Sequence, residues 1–583
     1  MTEPTIAGPP VLPDTTVEGP AGARATRPRG RRVPGAWLPV AVLLAALTLL
    51  VVIPLLALFG AALENGLGGM WEAVASAWTS IWTSLWSSLG ATILAVLAGG
   101  AIAFLTERTD VPGRRALRLA MLVAFIVPGY VAAVAWLDAY APGGLVDDIL
   151  GIAAPALVGP LGVIMVLAAE AAPITYLVIA AGLVARAEPD LERAARVSGA
   201  DALTTLRTVT LPLLRPFVAA AAVLAFVLSV TSFGVPAVLG VPAGLTTITT
   251  RIYRDLTFSA DPESFVRAIG LAITLAVATA LLIWVADGLL ERRRTEPSGV
   301  FGGPLGNGAM ASGRRVGGPV PSRFRNRVAL AGVVAWMGVG FVVVVPLVAL
   351  LLTALARAPG LPPVPASWTL ENFRAVSGSS TLGALGNSIL LAGAAAVGVM
   401  ALAAAAVSAR RGRGGGLVGG ALAATFALPG STLAVAVLLA YGVALRDTLL
   451  IILVAYLAKL WAIGYRPLAA GLDGLAADLS WAARVSGADG PTTMRTIVLP
   501  LLRPMVVAGG LIVFMFGLHE VTMSSLLYGP GTATLGVVVL NLQQLGAAGQ
   551  TAALAVLLTL LVALASLPLL GRSGLLERVG WRR

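Results

Sequence analysis

The stretch DLERAARVSGADALTTLRTVTLPLLRP at positions 190–216 is repeated as DLSWAARVSGADGPTTMRTIVLPLLRP at positions 478–504. The two copies share 20 of 27 residues and begin 288 positions apart (478 − 190) in a chain of 583 residues. Each copy is the longest polar stretch in its half of the chain, and the sequence around it is mostly apolar. The chain is therefore one unit written twice, and we predict that both copies of the stretch perform the same task.

The composition is that of an integral membrane protein. Hydrophobic residues make up 58% of the chain and charged residues only 12%, whereas a soluble domain carries about 25% charged residues. Cysteine is absent, which excludes disulfides, thiolate metal sites and cysteine nucleophiles. A single histidine, His519, leaves no imidazole cluster, and we predict neither a metal site nor a catalytic residue.

The net charge of +12 comes largely from arginines at the ends of apolar runs. The positive-inside rule places such arginines at the cytoplasmic face of a membrane. The sequence contains no basic face with interleaved aromatic residues, which a nucleic-acid-binding protein would carry. We therefore predict a lipid bilayer as a partner and no nucleic acid.

The apolar runs predict an all-α protein with twelve transmembrane helices, because about 20 apolar residues cross a bilayer. The tryptophan-rich segment after the first span is predicted to be an interfacial loop. The predicted spans are 36–62, 86–106, 116–139, 160–184, 213–239 and 268–290 in the first half, and 328–356, 386–408, 416–441, 449–471, 501–527 and 550–571 in the second.

Six spans in each half divide the chain into two six-helix domains, 36–290 and 328–571. We predict that residues 1–35 form a disordered cytoplasmic tail and that residues 291–327 form a flexible cytoplasmic linker. Residues 572–583 are predicted to form a second cytoplasmic tail. Because the number of spans in each half is even, the halves are predicted to be parallel repeats about an axis along the membrane normal. Both termini are then cytoplasmic in a multi-pass protein of the bacterial plasma membrane.

The register between the halves changes once along the chain. Pro128-Gly129 matches Pro429-Gly430, and Tyr140 matches Tyr441, at an offset of 301 (429 − 128). The first half therefore carries 13 additional residues (301 − 288) between Tyr140 and the repeated stretch, and the acidic loop after Tyr140 is where we place them.

The repeated stretch is too polar to cross the membrane and predicts a helix–turn–helix on the cytoplasmic surface. Ala194 and Ala195 allow another backbone to approach closely, and Gly199 permits a turn without a steric cost. Leu211-Pro212 begins the next span, because proline is tolerated in the first turn of a helix. One copy would suit a simple amphipathic connector, but two nearly identical copies favour a docking surface for a partner with two equivalent faces.

The spacing in both copies resembles the cytoplasmic EAA signature of binding-protein-dependent ABC importer permeases. That signature is Glu-Ala-Ala, three residues, Gly, nine residues, an aliphatic residue, any residue and Leu-Pro. The matching residues are Arg193-Ala194-Ala195, Gly199, Val209 and Leu211-Pro212 in the first copy, and Trp481-Ala482-Ala483, Gly487, Ile497 and Leu499-Pro500 in the second. Arg193 and Trp481 replace the signature glutamate, and Glu192 lies one position earlier in the first copy only.

The resemblance implies the type I ABC importer permease fold, in which each copy is a coupling helix that docks on a dimer of ATPase subunits. It also implies an extracytoplasmic solute-binding protein that delivers the solute. The coupling residues that it implies are Glu192, Ala194, Ala195, Gly199, Leu211, Pro212, Ala482, Ala483, Gly487, Leu499 and Pro500. Because the signature glutamate is missing, we expect docking by close backbone packing, with Glu192 as a polar contact in the first half only.

The fused two-copy layout looks like the permease subgroup for ferric iron, thiamine and related solutes. Residues 228–253 and 519–542 look most similar to ferric-iron-type permeases. The resemblance therefore implies import of ferric iron, and thiamine, a polyamine or an aminophosphonate are the alternatives.

A P-loop for ATP needs GxxxxGK[ST], with the lysine on the phosphates. The only lysine of this chain, Lys459, lies within an apolar run. We therefore predict a transporter subunit that is not an enzyme and binds no cofactor, with ATP bound by the partner subunit.

Breaks and charges within the spans predict a translocation path. Pro128-Gly129, Pro429-Gly430 and the pair Gly234 and Pro236 interrupt predicted helices near the interface between repeats, although proline and glycine are common in membrane helices anyway. Ionisable residues inside spans mark functional positions. These residues are Glu170, Lys459, His519 and Glu520, of which Glu170 and Lys459 are near-equivalent and either pair with each other or face water separately.

Two other classes of membrane protein fit the sequence less well. A twelve-span secondary transporter driven by an ion gradient would carry several buried acidic residues and no repeated docking helix. A membrane-embedded enzyme would need metal-ligand spacing or a nucleophile motif, and the sequence has neither.

Overall fold

A computed structural model describes residues 38–152, 154–185, 189–291, 325–358, 360–410, 415–475 and 477–572. The predicted N-terminal tail, the linker and the C-terminal tail lie almost wholly outside these ranges. Within them the regular secondary structure is helical, apart from an isolated bridge between Ala356 and Trp368.

The α-helices of the two halves follow the same order, except for one short additional α-helix in each half. Those of the first half are α1 (Leu38–Leu47), α2 (Ile53–Glu64), α3 (Leu67–Ala75), α4 (Trp78–Arg108), α5 (Arg114–Ile126), α6 (Gly129–Tyr140), α7 (Leu145–Leu150), α8 (Pro160–Ala185), α9 (Pro189–Val197), α10 (Ala202–Thr205), α11 (Leu211–Thr231), α12 (Ile248–Thr257) and α13 (Pro262–Glu291). Those of the second half are α14 (Arg325–Val339), α15 (Val345–Leu355), α16 (Glu371–Ala375), α17 (Ser379–Ala409), α18 (Gly415–Ala427), α19 (Gly430–Leu445), α20 (Leu449–Asp473), α21 (Ala477–Val485), α22 (Gly490–Thr493), α23 (Leu499–His519), α24 (Thr522–Leu527), α25 (Leu535–Gln544) and α26 (Ala548–Arg572).

The internal repeat of the sequence is also a repeat of the backbone. Helices α4 and α17 each have 31 residues, and α5 and α18 each have 13. Short π-helical segments, Leu206–Thr210 and Met494–Val498, precede α11 and α23. Another matched pair of π-helical segments, Thr48–Val52 and Gly340–Val344, lies within the first span of each half.

Ten helical stretches of the described residues are long and apolar enough to cross a membrane, and two further stretches are bent pairs of helices. Counting each bent pair as one span yields the twelve predicted spans. The bends are 106° between α5 and the segment beginning with α6, and 102° between α18 and α19. They fall at Pro128 and Pro429, because proline lacks the N–H that continues a helix and forces the preceding residue, such as Val127, into an extended conformation.

The predicted interfacial loop after the first span was wrong, because this segment is helical. Helix α3 covers its first part, and α4 begins at Trp78 rather than near position 86. No proline or glycine lies between Met70 and Gly90, and the segment is helical on both sides of a short turn at Ser76 and Ala77. Trp78 and Trp82 are exposed while serines on the opposite face of α4 are buried, which suits a helix with an apolar face toward lipid.

The first span of each half packs on the other half. Helices α1 and α2 lie against α17 and α19, and α15 lies against α6 as well as against α26 of its own half. Leu43, Leu50 and Val51 accordingly belong to a hydrophobic core made mostly of second-half residues. The packing therefore crosses the predicted boundary between the two domains.

The matched tyrosines hold these exchanged spans. The Tyr140 hydroxyl donates a hydrogen bond to the carbonyl of Phe341 at 2.5 Å, and the Tyr441 hydroxyl donates one to the carbonyl of Leu49 at 2.5 Å. Both acceptors lie in the π-helical segments of the first spans. A π-helical turn disrupts the i→i−4 hydrogen-bond ladder. In each half, a carbonyl of this turn accepts a hydrogen bond from a tyrosine of the other half.

Candidate functional site

The two repeated stretches fold into the same helix–turn–helix. In the first copy α9 ends in a turn at Gly199, whose φ is +90°, and the N–H of Ala200 donates to the carbonyl of Ala195 at 3.0 Å. In the second copy Gly487 has a φ of +82°, and the N–H of Ala488 donates to Ala483 at 2.9 Å. Glycine closes these helices because it adopts positive φ without strain.

Aspartate side chains begin the second short helix of each turn. The Asp201 carboxylate accepts from the N–H of Thr204 at 2.8 Å, and the Asp489 carboxylate accepts from the N–H of Thr492 at 2.9 Å, as N-cap residues do. The hydrogen bonds from these threonines lower the pKa of both aspartates below the usual value. Both carboxylates are therefore ionised at neutral pH and stabilise the turn through these hydrogen bonds.

The residues predicted to couple to the ATPase form, in each copy, a largely exposed surface of small and apolar side chains. Ala194, Gly199, Ala482 and Gly487 are exposed, whereas Ala195 is half-buried and Ala483 is buried. Further apolar residues on this surface are exposed as well, namely Leu191, Val197, Leu211, Leu479, Trp481, Val485 and Leu499. Pro212 and Pro500 lie in the first turn of α11 and α23, below this surface.

Glu192 is directed into the molecule rather than outward. Its carboxylate accepts from the Thr210 hydroxyl at 3.0 Å and lies 3.6 Å from the guanidinium of Arg108. Only 14% of the Glu192 side chain and 6% of the Arg108 side chain are exposed. Glu192 therefore connects α9 to the end of α4 and the start of α11. We expected it to make a polar contact with the ATPase, but its carboxylate contacts residues of its own chain.

A cavity of about 540 Å³ lies between the two halves. Seven of the ten residues that we assigned to a translocation path line it: Gly129, Glu170, Gly234, Gly430, Lys459, His519 and Glu520. The other three lie at the adjoining helix breaks, Pro128 before α6, Pro429 before α19 and Pro236 at the start of a π-helical segment after α11. Residues far apart in the chain thus meet at one place.

On the first-half wall, Glu170 of α8 lies against the break at Gly129. A Cβ atom on Gly129 would come within 2.6 Å of the Glu170 carboxyl, so any other residue here would displace this side chain from its present position. The Ser232 hydroxyl, at the end of α11, hydrogen-bonds the Glu170 carboxylate at 3.5 Å. A Cβ atom on Gly234 would come similarly close to the Cβ atom of Tyr130.

On the second-half wall, Lys459 of α20 donates to the carbonyl of Leu428 at the break before α19. The Glu520 carboxylate accepts from the N–H of Met523 at 2.7 Å and interacts electrostatically with Lys459. Glu520 and Ser232 are equivalent in the repeat (520 − 288). Glu170 and Lys459 are therefore bound to partners in their own halves rather than to each other.

Arg466 is a cavity residue that we did not predict from the sequence. Its guanidinium lies 4.7 Å from the centre of the Phe426 ring, and both residues line the cavity. The signal was present, because Arg466 follows Lys459 by seven positions and two turns of a helix bring both to one face. Within the described ranges, no three His, Asp or Glu side chains lie close enough to hold a metal ion.

Comparisons with known proteins agree with this geometry. A family model described as "Binding-protein-dependent transport system inner membrane component" matches residues 99–294, which include the first repeated stretch. A probable ABC transporter permease protein, y4fN, from Sinorhizobium fredii (strain NBRC 101917 / NGR234) is 24% identical over 533 residues, 87% of this chain and 90% of that protein. The molybdenum transport system permease proteins ModB of Mycobacterium bovis and Mycobacterium tuberculosis are each 34% identical over 195 residues, 33% of this chain and 72% of theirs.

Proposed function

This chain belongs to the family of binding-protein-dependent transport system inner membrane components, and from that premise we propose that it is a fused permease, with both coupling surfaces in one chain, of an ATP-driven importer. The observation that carries the proposal is the pair of matched helix–turn–helix surfaces. A permease of this family normally offers such surfaces from two domains. A chain with both copies supplies two docking sites for one ATPase dimer.

The coupling surfaces act by close packing of small residues. Ala194 and Gly199 in the first copy, and Ala482 and Gly487 in the second, leave the helix backbone accessible to another protein. The exposed apolar side chains beside them would lose their contact with water on docking, which is favourable by about 25 cal/mol for each Å² buried. Since Glu192 is engaged inside the molecule, we propose that docking does not depend on it.

The energy source lies in the partner. Without a P-loop in the sequence, ATP binding falls to a separate ATPase dimer on the side of the membrane where the arginine-rich loops lie, which we propose to be the cytoplasm. Both termini are then cytoplasmic. A solute-binding protein delivers the cargo to the opposite side, and the cavity between the halves is the path.

Ferric iron is the cargo that we propose first, because of the resemblance of residues 228–253 and 519–542 to ferric-iron-type permeases. The similarity to molybdenum transport system permeases makes molybdenum a second candidate. Thiamine, a polyamine or an aminophosphonate complete the set. Uptake of each labelled solute into cells with and without the transporter ranks them directly.

The coupling proposal is tested by co-purification with the candidate ATPase. We expect Ala194→Trp combined with Ala482→Trp to abolish ATPase association and uptake, because bulky side chains would block both packing surfaces. Ala278→Trp is the matched control, since Ala278 is also exposed but lies in the middle of α13. Unchanged association and uptake in the double variant, with normal membrane levels, would refute docking through these surfaces.

A further inference from the structure

The central cavity presents charges of opposite sign from its two halves. Glu170 projects from α8, and Lys459 and Arg466 project from α20, the helix that occupies the same place in the second half. At an offset of 288, the residues equivalent to Lys459 and Arg466 are Ala171 and Val178. The repeat therefore does not balance these charges: the first-half wall carries Glu170, whereas the second-half wall carries Lys459 and Arg466 together with Glu520.

The Glu170 carboxylate has capacity for a further ligand. Among the described residues its hydrogen bond comes from Ser232 at 3.5 Å, and it forms no ion pair there. A carboxylate offers about four acceptor positions. The carboxylate lies against Gly129, in the space that a Cβ atom would occupy, and it is therefore located at the cavity surface.

We propose that the cavity binds a solute that carries both a positive centre and an anionic oxygen group, an inference that rests on the import function proposed above. The positive centre faces Glu170, and the anionic group faces Lys459 and Arg466. A bare cation would be repelled by the α20 wall, and a bare anion by Glu170 and Glu520, in a medium where charges interact more strongly than in water. An organic zwitterion and a metal cation with a coordinated anion share this chemistry.

Calorimetric binding to the purified full chain in lipid nanodiscs tests this inference without the ATPase, so its result is independent of the coupling test. The zwitterion arm compares 2-aminoethylphosphonate with ethylphosphonate and ethylamine, which each keep one of its charges. The metal arm compares ferric citrate with citrate. We expect the two-charge member of at least one arm to bind about tenfold more tightly than its single-charge counterparts, the loss typical of one charged contact.

Variants of the walls assign the contacts. Glu170→Gln should lower the affinity for the two-charge probe about tenfold, whereas Glu170→Asp, which keeps the charge, should restore most of it. Ala278→Trp should bind as the wild type does. Equal affinity for single-charge and two-charge probes, absence of binding in both arms, or an unchanged affinity in Glu170→Gln would each overturn the inference, and the coupling proposal would still stand on ATPase association.

Discussion

The two repeated turns present the same surface but are held by different contacts. Behind the first turn, Arg108, Glu192 and Thr210 form a largely buried polar cluster that joins α9 to α4 and α11. The equivalent positions in the second half are Ala409, Ser480 and Val498. In the second half an ion pair between Arg410 and Asp473 joins the ends of α17 and α20 and is more exposed.

Under the proposed docking, this difference separates the part of the unit that meets the partner from the part that only supports the turn. The outer face keeps its alanines and glycine in both copies, as one partner with two equal sites would require. The inner face is free to change, because any contact that supports the turn is sufficient. The first turn is anchored by the ion pair of Glu192 with Arg108, and the positions equivalent to that pair in the second half carry no charge.

The largest expected difference between the halves comes from removing the arginine behind each turn. Arg108→Ala leaves Glu192 buried without its charge partner, which should lower the free energy of unfolding by about 3 kcal/mol. Arg410→Ala removes a partly exposed pair and should cost at most about 1 kcal/mol. Thermal denaturation of the purified variants measures both, and equal losses would show that the first turn has no special anchor.

Adding a methyl group at each helix break should affect uptake differently on the two walls of the cavity. Gly129→Ala places a Cβ within 2.6 Å of the Glu170 carboxyl, whereas the nearest atom to a Cβ at Gly430 is 3.6 Å away, an ordinary contact. The Glu170 side chain can move aside, so we expect normal folding but about tenfold lower uptake for Gly129→Ala. Gly430→Ala should transport at nearly the wild-type rate, and a similar loss in both variants would refute a specific place for Glu170.

The tyrosines that hold the exchanged spans offer a smaller contrast. Tyr140→Phe removes a buried hydrogen bond to Phe341 and should lower stability by about 1 kcal/mol. Tyr441→Phe should cost less, because Tyr441 is more exposed than Tyr140, and water can take the place of its partner. Thermal denaturation again provides the measurement, and a larger loss for Tyr441→Phe would contradict this ranking.

The smallest effect, and the one expected to be equal in the two halves, is that of pH on the capping aspartates. The folded state holds the pKa of Asp201 and Asp489 below the usual value. Their stabilisation of the turns is therefore complete above the pKa of an unfolded aspartate, about 4, and is lost as pH falls through the lower folded values. The protection of residues 201–205 and 489–493 against hydrogen exchange, relative to the intrinsic rate at each pH, should fall together in acid, and Asp201→Asn should remove the response in the first turn only.

Several features followed from the sequence because they depend on neighbouring residues. The breaks at Pro128 and Pro429 follow from the geometry of proline, and the turns at Gly199 and Gly487 from the freedom of glycine. The predicted loop after the first span failed because tryptophan suggested a membrane interface, whereas an uninterrupted helix can carry tryptophan on its lipid face. Arg466 was missed because it lies in an apolar run, where only its spacing from Lys459 marked it.

The sequence by itself determined that this is a membrane protein built from two copies of one unit, since composition and repetition need no knowledge of packing. The tertiary structure decided that α1 and α2 pack on the second half, that Glu192 turns inward to Arg108, and that Glu170 and Lys459 face one cavity. The physical reason is that membrane helices are apolar on nearly every side, so hydrophobic periodicity cannot tell which side meets protein. Only the fit between helix surfaces settles which helices are neighbours, and with it which distant charges share a site.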